Sequence, residues 1–117
     1  MNNFCNLEVY KRSSVLFPKI YKIVKTWSVS DQRELGGQII RSANSIHSNI
    51  AEGYNKTEND FKRYLSISIG SCDELISHIN DAYNIGLIDQ KIKENLIDEY
   101  TIVGKQLTRL KQNWKKF

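Results

Sequence analysis

A chain of 117 residues, 40% hydrophobic and 26% charged, is long enough for one domain with a real core and too apolar for wholesale disorder. No apolar run approaches the roughly 18 residues of a membrane-spanning helix. The start, Met-Asn-Asn-Phe-Cys, lacks the basic residues and apolar stretch of a secretory signal, so a cytoplasmic setting is expected. The formal charge of +4 is mild but unevenly spread. Residues 1–30 carry Lys11, Arg12, Lys19, Lys22 and Lys25 against Glu8, and residues 100–117 carry Lys105, Arg109, Lys111, Lys115 and Lys116 with no acid. Residues 31–88 have a balance of −3, and 89–99 a further −2. The first and last segments are therefore basic and the middle is not.

One proline and six glycines among long 3.6-period stretches predict an all-α fold with short connections, a single domain over 1–117. The first helix is expected over about 6–27, with Leu7, Tyr10, Ser14, Phe17, Tyr21 and Val24 as its main stripe and Val9, Leu16, Ile20, Ile23 and Trp27 widening it. Pro18 removes a backbone bond and disfavours helical geometry at Phe17, so a kink or a split into two helices is expected there. Ser30 is placed to cap a second helix over about 31–53, some 35 Å long.

In that second helix Ile39, Ala43, Ile46 and Ile50 form one buried stripe, and Ser42, Ser45, Ser48, Ala51 and Gly53 are small enough for close neighbours. It reads as the central helix of the fold. Gly36-Gly37 marks close contact or a frayed first turn, and no Gly-Lys-Ser/Thr follows to make a phosphate loop. Gly53-Tyr-Asn-Lys-Thr57 supplies the break, where Gly53 and Asn55 are able to take left-handed backbone.

Thr57-Glu-Asn-Asp60 opens a third helix over about 58–85, with Glu58 and Lys62 one turn apart. Phe61, Leu65, Ser68, Cys72, Leu75, Ile79 and Ala82 step along it by four and three, a bundle seam. Tyr64, Ile67, Ile69, Ile76 and Tyr83 lie outside the seam, more apolar surface than one contact stripe requires, which a subunit interface would explain. Asn84-Ile-Gly-Leu87 is a stop with Gly86 in the left-handed position. Asp89 caps a fourth helix over about 89–116, whose seam is Ile92, Leu96, Tyr100, Val103, Leu107, Leu110, Trp114 and Phe117. Four helices with short turns make an antiparallel up-and-down bundle.

Among candidate sites, His47 and His78 have no Cys or His one turn away, and Cys5 and Cys72 make no metal spacing, so no metal or cofactor is expected. Arg41, Asn49 and Glu52 read as buried polar groups that fix helix register at interfaces. A hydrolytic role for Glu52 with Arg41 or His47 is conceivable, but it needs an open pocket that close-packed small residues would not leave.

Leu7-Glu-Val-Tyr10, Gln38-Ile-Ile-Arg-Ser-Ala43, Ser45-Ile46, Asn49-Ile-Ala-Glu-Gly53, Phe61, Leu65, Gly70-Ser71 with Glu74-Leu75, and Leu87-Ile88 together resemble the four-helix-bundle proteins that include those encoded in intervening sequences of bacterial 23S ribosomal RNA genes. The resemblance covers nearly the whole chain. It implies an antiparallel bundle that assembles as a ring-shaped homo-oligomer, typically a homopentamer, with no established enzymatic activity. A relative of the same fold, the accessory variability protein of diversity-generating retroelements, binds a reverse transcriptase and nucleic acid through a basic surface of its ring. Two positions depart from the family pattern: Val29-Ser-Asp31 replaces the usual proline and acidic residue, and Pro18 falls inside the first helix.

The expected function is therefore a non-enzymatic homo-oligomer that contacts RNA, DNA or a nucleic-acid-processing partner through Lys11, Arg12, Lys19, Lys22, Lys25, Lys105, Arg109, Lys111, Lys115 and Lys116. The alternative is a structural or protein-binding module whose cations serve solubility alone.

Overall fold

The computed structural model describes residues 3–115, which are helical with no strand among them. A 3₁₀ turn, Phe4–Asn6, leads into α1, Glu8–Lys25. The second helix, α2, occupies 29–53: an α-helical turn Val29–Asp31, a π-helical stretch Gln32–Gly36 and the long segment Gly37–Gly53. α3 is Glu58–Asn84 and α4 is Gln90–Asn113. The helices pack in the cyclic order α1-α2-α3-α4, with the most extensive contact between α2 and α3 and the slightest between α1 and α4. The body measures 48 × 22 × 22 Å.

The cores of α2 and α3 follow the spacing of their apolar residues. Ile39, Ala43, Ile46 and Ile50 are buried, as are Phe61, Leu65, Ser68, Cys72, Leu75, Ile79 and Ala82 along the whole α3 seam. From α4, Leu96, Tyr100, Val103 and Leu107 join them, while Ile92, Leu110 and Trp114 are half-buried. The seam's Phe117 and the candidate Lys116 lie outside the described residues. Caps fix the ends of α3 and α4. Thr57 Oγ1 accepts from the Asp60 amide at 3.2 Å, and Asp89 Oδ1 from the Ile92 amide at 2.8 Å. At the end of α3, Gly86 adopts φ +83° while the Gly86 and Leu87 amides bond back to Tyr83 and Ala82. Those two bonds make the paired closure that a left-handed residue permits.

α1 departs from its sequence pattern in two ways. It continues through Pro18 as one helix, without the split. Pro18 is exposed, so the carbonyl left without a donor one turn earlier is on the side that water reaches. The buried stripe is Val9, Ser13, Leu16, Ile20 and Val24, continued by Trp27. Tyr10, Ser14 and Phe17 are half-buried and Tyr21 is exposed. Branched aliphatic side chains fill the centre, and the aromatic set flanks it, where Tyr10 and Phe17 meet the His47 ring edge-on at 5.9 and 5.5 Å.

The start of α2 also differs. Ser28, not Ser30, is its cap: Ser28 Oγ accepts from the Asp31 amide at 3.0 Å and donates to the Asp31 carboxylate at 2.9 Å. Gly36 is a close contact and not a frayed end, since a Cβ there would sit 2.5 Å from Val24 Cγ1. Neither Gly53 nor Asn55 is left-handed. Gly53 is required by proximity, because a Cβ on it would meet Tyr64 Cβ at 2.6 Å.

Candidate nucleic-acid interface

Since α1 and α4 run antiparallel, the start of α1 lies beside the end of α4. Leu7, Glu8 and Val9 face Gln106, Arg109, Leu110 and Asn113 across a cleft of about 400 Å³. The two basic segments thereby meet at one end of the bundle, where Arg109 lines the cleft beside the start of α1, while Lys11 and Arg12 gather around Glu99 further along α4 and Lys105 faces α3. The remaining α1 cations are at the other end, Lys19 bonding to Asn95 near the start of α4. The fold thus divides the nine described candidates between the two ends.

Their partners divide them further. Arg12 pairs with Glu99 at 3.4 Å, Lys11 with Glu8 at 3.5 Å, and Lys25 bonds Gln32 at 3.4 Å with its ammonium 5.2 Å from the Tyr21 ring centre. Exposed pairs of this kind bind weakly and leave much of the cation's field available. Lys22, Lys105, Arg109, Lys111 and Lys115 have no hydrogen-bonding or carboxylate partner among the described residues. Lys111 is half-buried in the last turn of α4, where a cation suits the negative helix end.

Lys105 and Arg109, one turn apart, rim a groove of about 630 Å³ between α3 and α4 with Ile69, Cys72, Ile76 and Gly104 below and Asp73 opposite. The Cys72 thiol donates to the Tyr100 carbonyl at 3.1 Å. Burial, reinforced by the Asp73 charge and opposed by a backbone bond from Gly104, pushes its pKa up to about 12. It therefore stays a thiol at neutral pH and offers no nucleophile.

Arg41 and Glu52, expected to be buried, are exposed on the single chain, with Arg41 close enough to α3 for its charge to act on Glu74. Asn49 is half-buried and bonds within its own helix, to the Ser45 carbonyl and hydroxyl at 2.8 and 2.9 Å. His47 packs against α1 on a different side from Glu52, so Arg41, His47 and Glu52 do not converge on a common centre. Burial lowers the His47 pKa, opposed by a backbone bond at Ala43.

The register of α2 on α3 is carried by a polar line the sequence reading missed. Ser42 donates to Glu74 at 2.9 Å, the Ser45 and Ser71 hydroxyls meet at 2.8 Å, and Ser68 bonds the Ile46 carbonyl at 2.8 Å. His78 reaches Glu74 at 3.2 Å. The Ser42 bond first, then the His78 bond, hold the Glu74 carboxyl below its ordinary range, burial opposing and the His78 and Arg41 charges adding. Serines at three-residue steps on both helices were the available signal. No group of three or more His, Cys, Asp or Glu side chains suited to a metal ion occurs among the described residues, nor is any of their helices long and apolar enough to cross a membrane.

Residues 5–109 match the family model of the 23S rRNA-intervening sequence protein. The chain belongs to that family. A crystal structure of a family-related protein of unknown function from Bacteroides thetaiotaomicron VPI-5482, assigned to the S23 ribosomal protein family, superposes with a TM-score of 0.83 at 23% identity, over 90% of this chain and 96% of that one. At that identity the likeness establishes the shared fold. No match was found among functionally curated proteins. Membership in the 23S rRNA-intervening sequence family fits the four-helix arrangement and carries no assigned activity.

Proposed function

We propose that this family member is a non-enzymatic homo-oligomer, a ring of five copies, that binds RNA or DNA, or a protein that processes them, in the cytoplasm through the basic end of each bundle. The observation that supports it most is that Lys105, Arg109 and Lys115, towards the α4 end, form no ion pair among the described residues, Asp73 facing the first two only across the groove. Such unpaired cations attract phosphates, and repetition around an oligomer multiplies the effect. The sequence holds no recognised DNA- or RNA-reading motif, which favours contact with the phosphate backbone over base readout.

A titration of the purified protein against unstructured RNA and DNA oligonucleotides at rising salt tests this. Affinity should fall linearly on logarithmic axes, and Lys105→Glu with Arg109→Glu should weaken it and flatten the slope. No binding even at low salt would leave the structural module, in which the cations only solvate the surface.

A further inference from the structure

The bundle has two opposite flanks. On one, α1 and α4 meet slightly, and Val15 is left 74% exposed beside Lys11 and Arg12, with Ile102 40% exposed a turn along from Glu99. On the other, α2 and α3 meet along the Ser45–Ser71 line, and Ile67 stands 45% exposed, one turn before Gly70 and Ser71. These are apolar side chains on surfaces that nothing among the described residues covers.

Gly70 is the anomaly. It lies in the interior of α3, is exposed, and a Cβ built on it would meet nothing within 4 Å. A glycine there weakens its helix relative to alanine, and no contact inside the chain requires it. Gly36 and Gly53 show what such a residue otherwise does in this fold: each lets a neighbouring side chain come within 3 Å of where a Cβ would stand. A neighbour from outside the chain accounts for Gly70 in the same way.

The charges say which neighbour. The α1/α4 flank carries Lys11, Arg12, Lys19 and Lys22 against Glu8 and Glu99, whereas Glu52, Glu74 and Asp81 outnumber Arg41 and Arg63 around the α2/α3 flank. The same flank packed on itself would set like charges together, but the two flanks suit each other. We infer that the α1/α4 flank of one copy, led by Val15, docks on the α2/α3 flank of the next copy at Ile67 and Gly70. This rests on the self-association in the proposed function and goes beyond it by naming the faces. Because the faces differ, the contact is head-to-tail; it closes into a ring when each copy is rotated by the same fraction of a turn about a common axis, and without that rotation it would run on as an open filament.

Two variants on exposed positions test the arrangement. Val15→Glu spoils only the first flank and Gly70→Trp only the second, and unchanged circular dichroism and melting would show that each chain folds. Light scattering should find wild type oligomeric, each variant monomeric, and an equimolar mixture forming a 1:1 dimer through the one flank that each retains. A monomeric wild type, either variant keeping wild-type stoichiometry, or a mixture that stays monomeric would overturn the inference. None of these readouts involves nucleic acid, so loss of RNA binding with assembly intact would count against the proposed function alone.

Discussion

An added methyl at Gly53 would lie 2.6 Å from Tyr64 Cβ, an atom fixed to the α3 backbone, and one at Gly36 would lie 2.5 Å from the buried Val24. Neither neighbour can swing away, so Gly53→Ala and Gly36→Ala should each destabilise by about 1–3 kcal/mol through overpacking. Gly70→Ala should do the reverse and stabilise by about 1 kcal/mol in a Val15→Glu background, where only the single chain is read. Urea midpoints for the three substitutions give opposite signs if the contacts are as described. His47 adds a pH dependence whose sign follows from burial. Its folded pKa lies below the ordinary 6.5, so the unfolded chain binds the proton first and stability falls as pH drops below about 6.5 until the folded pKa is passed. His47→Gln should remove that acid limb, seen by comparing urea midpoints at about pH 7.5 and 5.5. Glu74, whose pKa is lowered, adds a later loss as pH falls through the carboxylate range, a small one because its side chain is 60% exposed.

Helix boundaries turn on single side chains in the same way. Ser28→Ala should cost about 1 kcal/mol, since it removes the Asp31 amide bond and its return hydrogen bond, while Ser30→Ala, inside the first turn, should cost little; thermal melts separate the two. That difference also shows what a sequence can and cannot say here. Both serines are chemically able to cap, and only the path of Thr26 and Trp27 into α2 selects between them. The α3 seam was legible residue by residue because one apolar set recurs without a competitor. In α1 two such sets run one residue apart, and periodicity does not tell which is central and which flanks His47. Gly53 was ambiguous for a related reason, because a glycine serves left-handed backbone and close approach equally well, and the deciding atom belongs to Tyr64 on another helix. The candidate cations could be named from the sequence, but their pairing could not. Arg12 finds Glu99 and Lys19 finds Asn95 across 87 and 76 residues, distances that only the antiparallel packing of α1 on α4 closes.

At the scale of the whole molecule, the proposed head-to-tail contact would set bodies 48 Å long and 22 Å wide side by side. With rotational symmetry and axes roughly parallel, every basic end would then fall on the same rim. A phosphate backbone touching one end would be held near the next, so that modest individual contacts would combine as one multivalent interaction. Gly70→Trp separates this effect from charge, because it blocks assembly from an exposed position and alters no ionisable group. Its Lys105, Arg109 and Lys115 remain in place, yet it should bind a long RNA or DNA oligonucleotide on the order of 10²-fold more weakly than wild type, with a shallower dependence on salt. Its affinity for a short oligonucleotide spanning a single bundle end should be unchanged. Equal weakening for long and short ligands would mean that Gly70 touches nucleic acid itself, whereas no weakening for either would mean that one basic end binds without help from its neighbours.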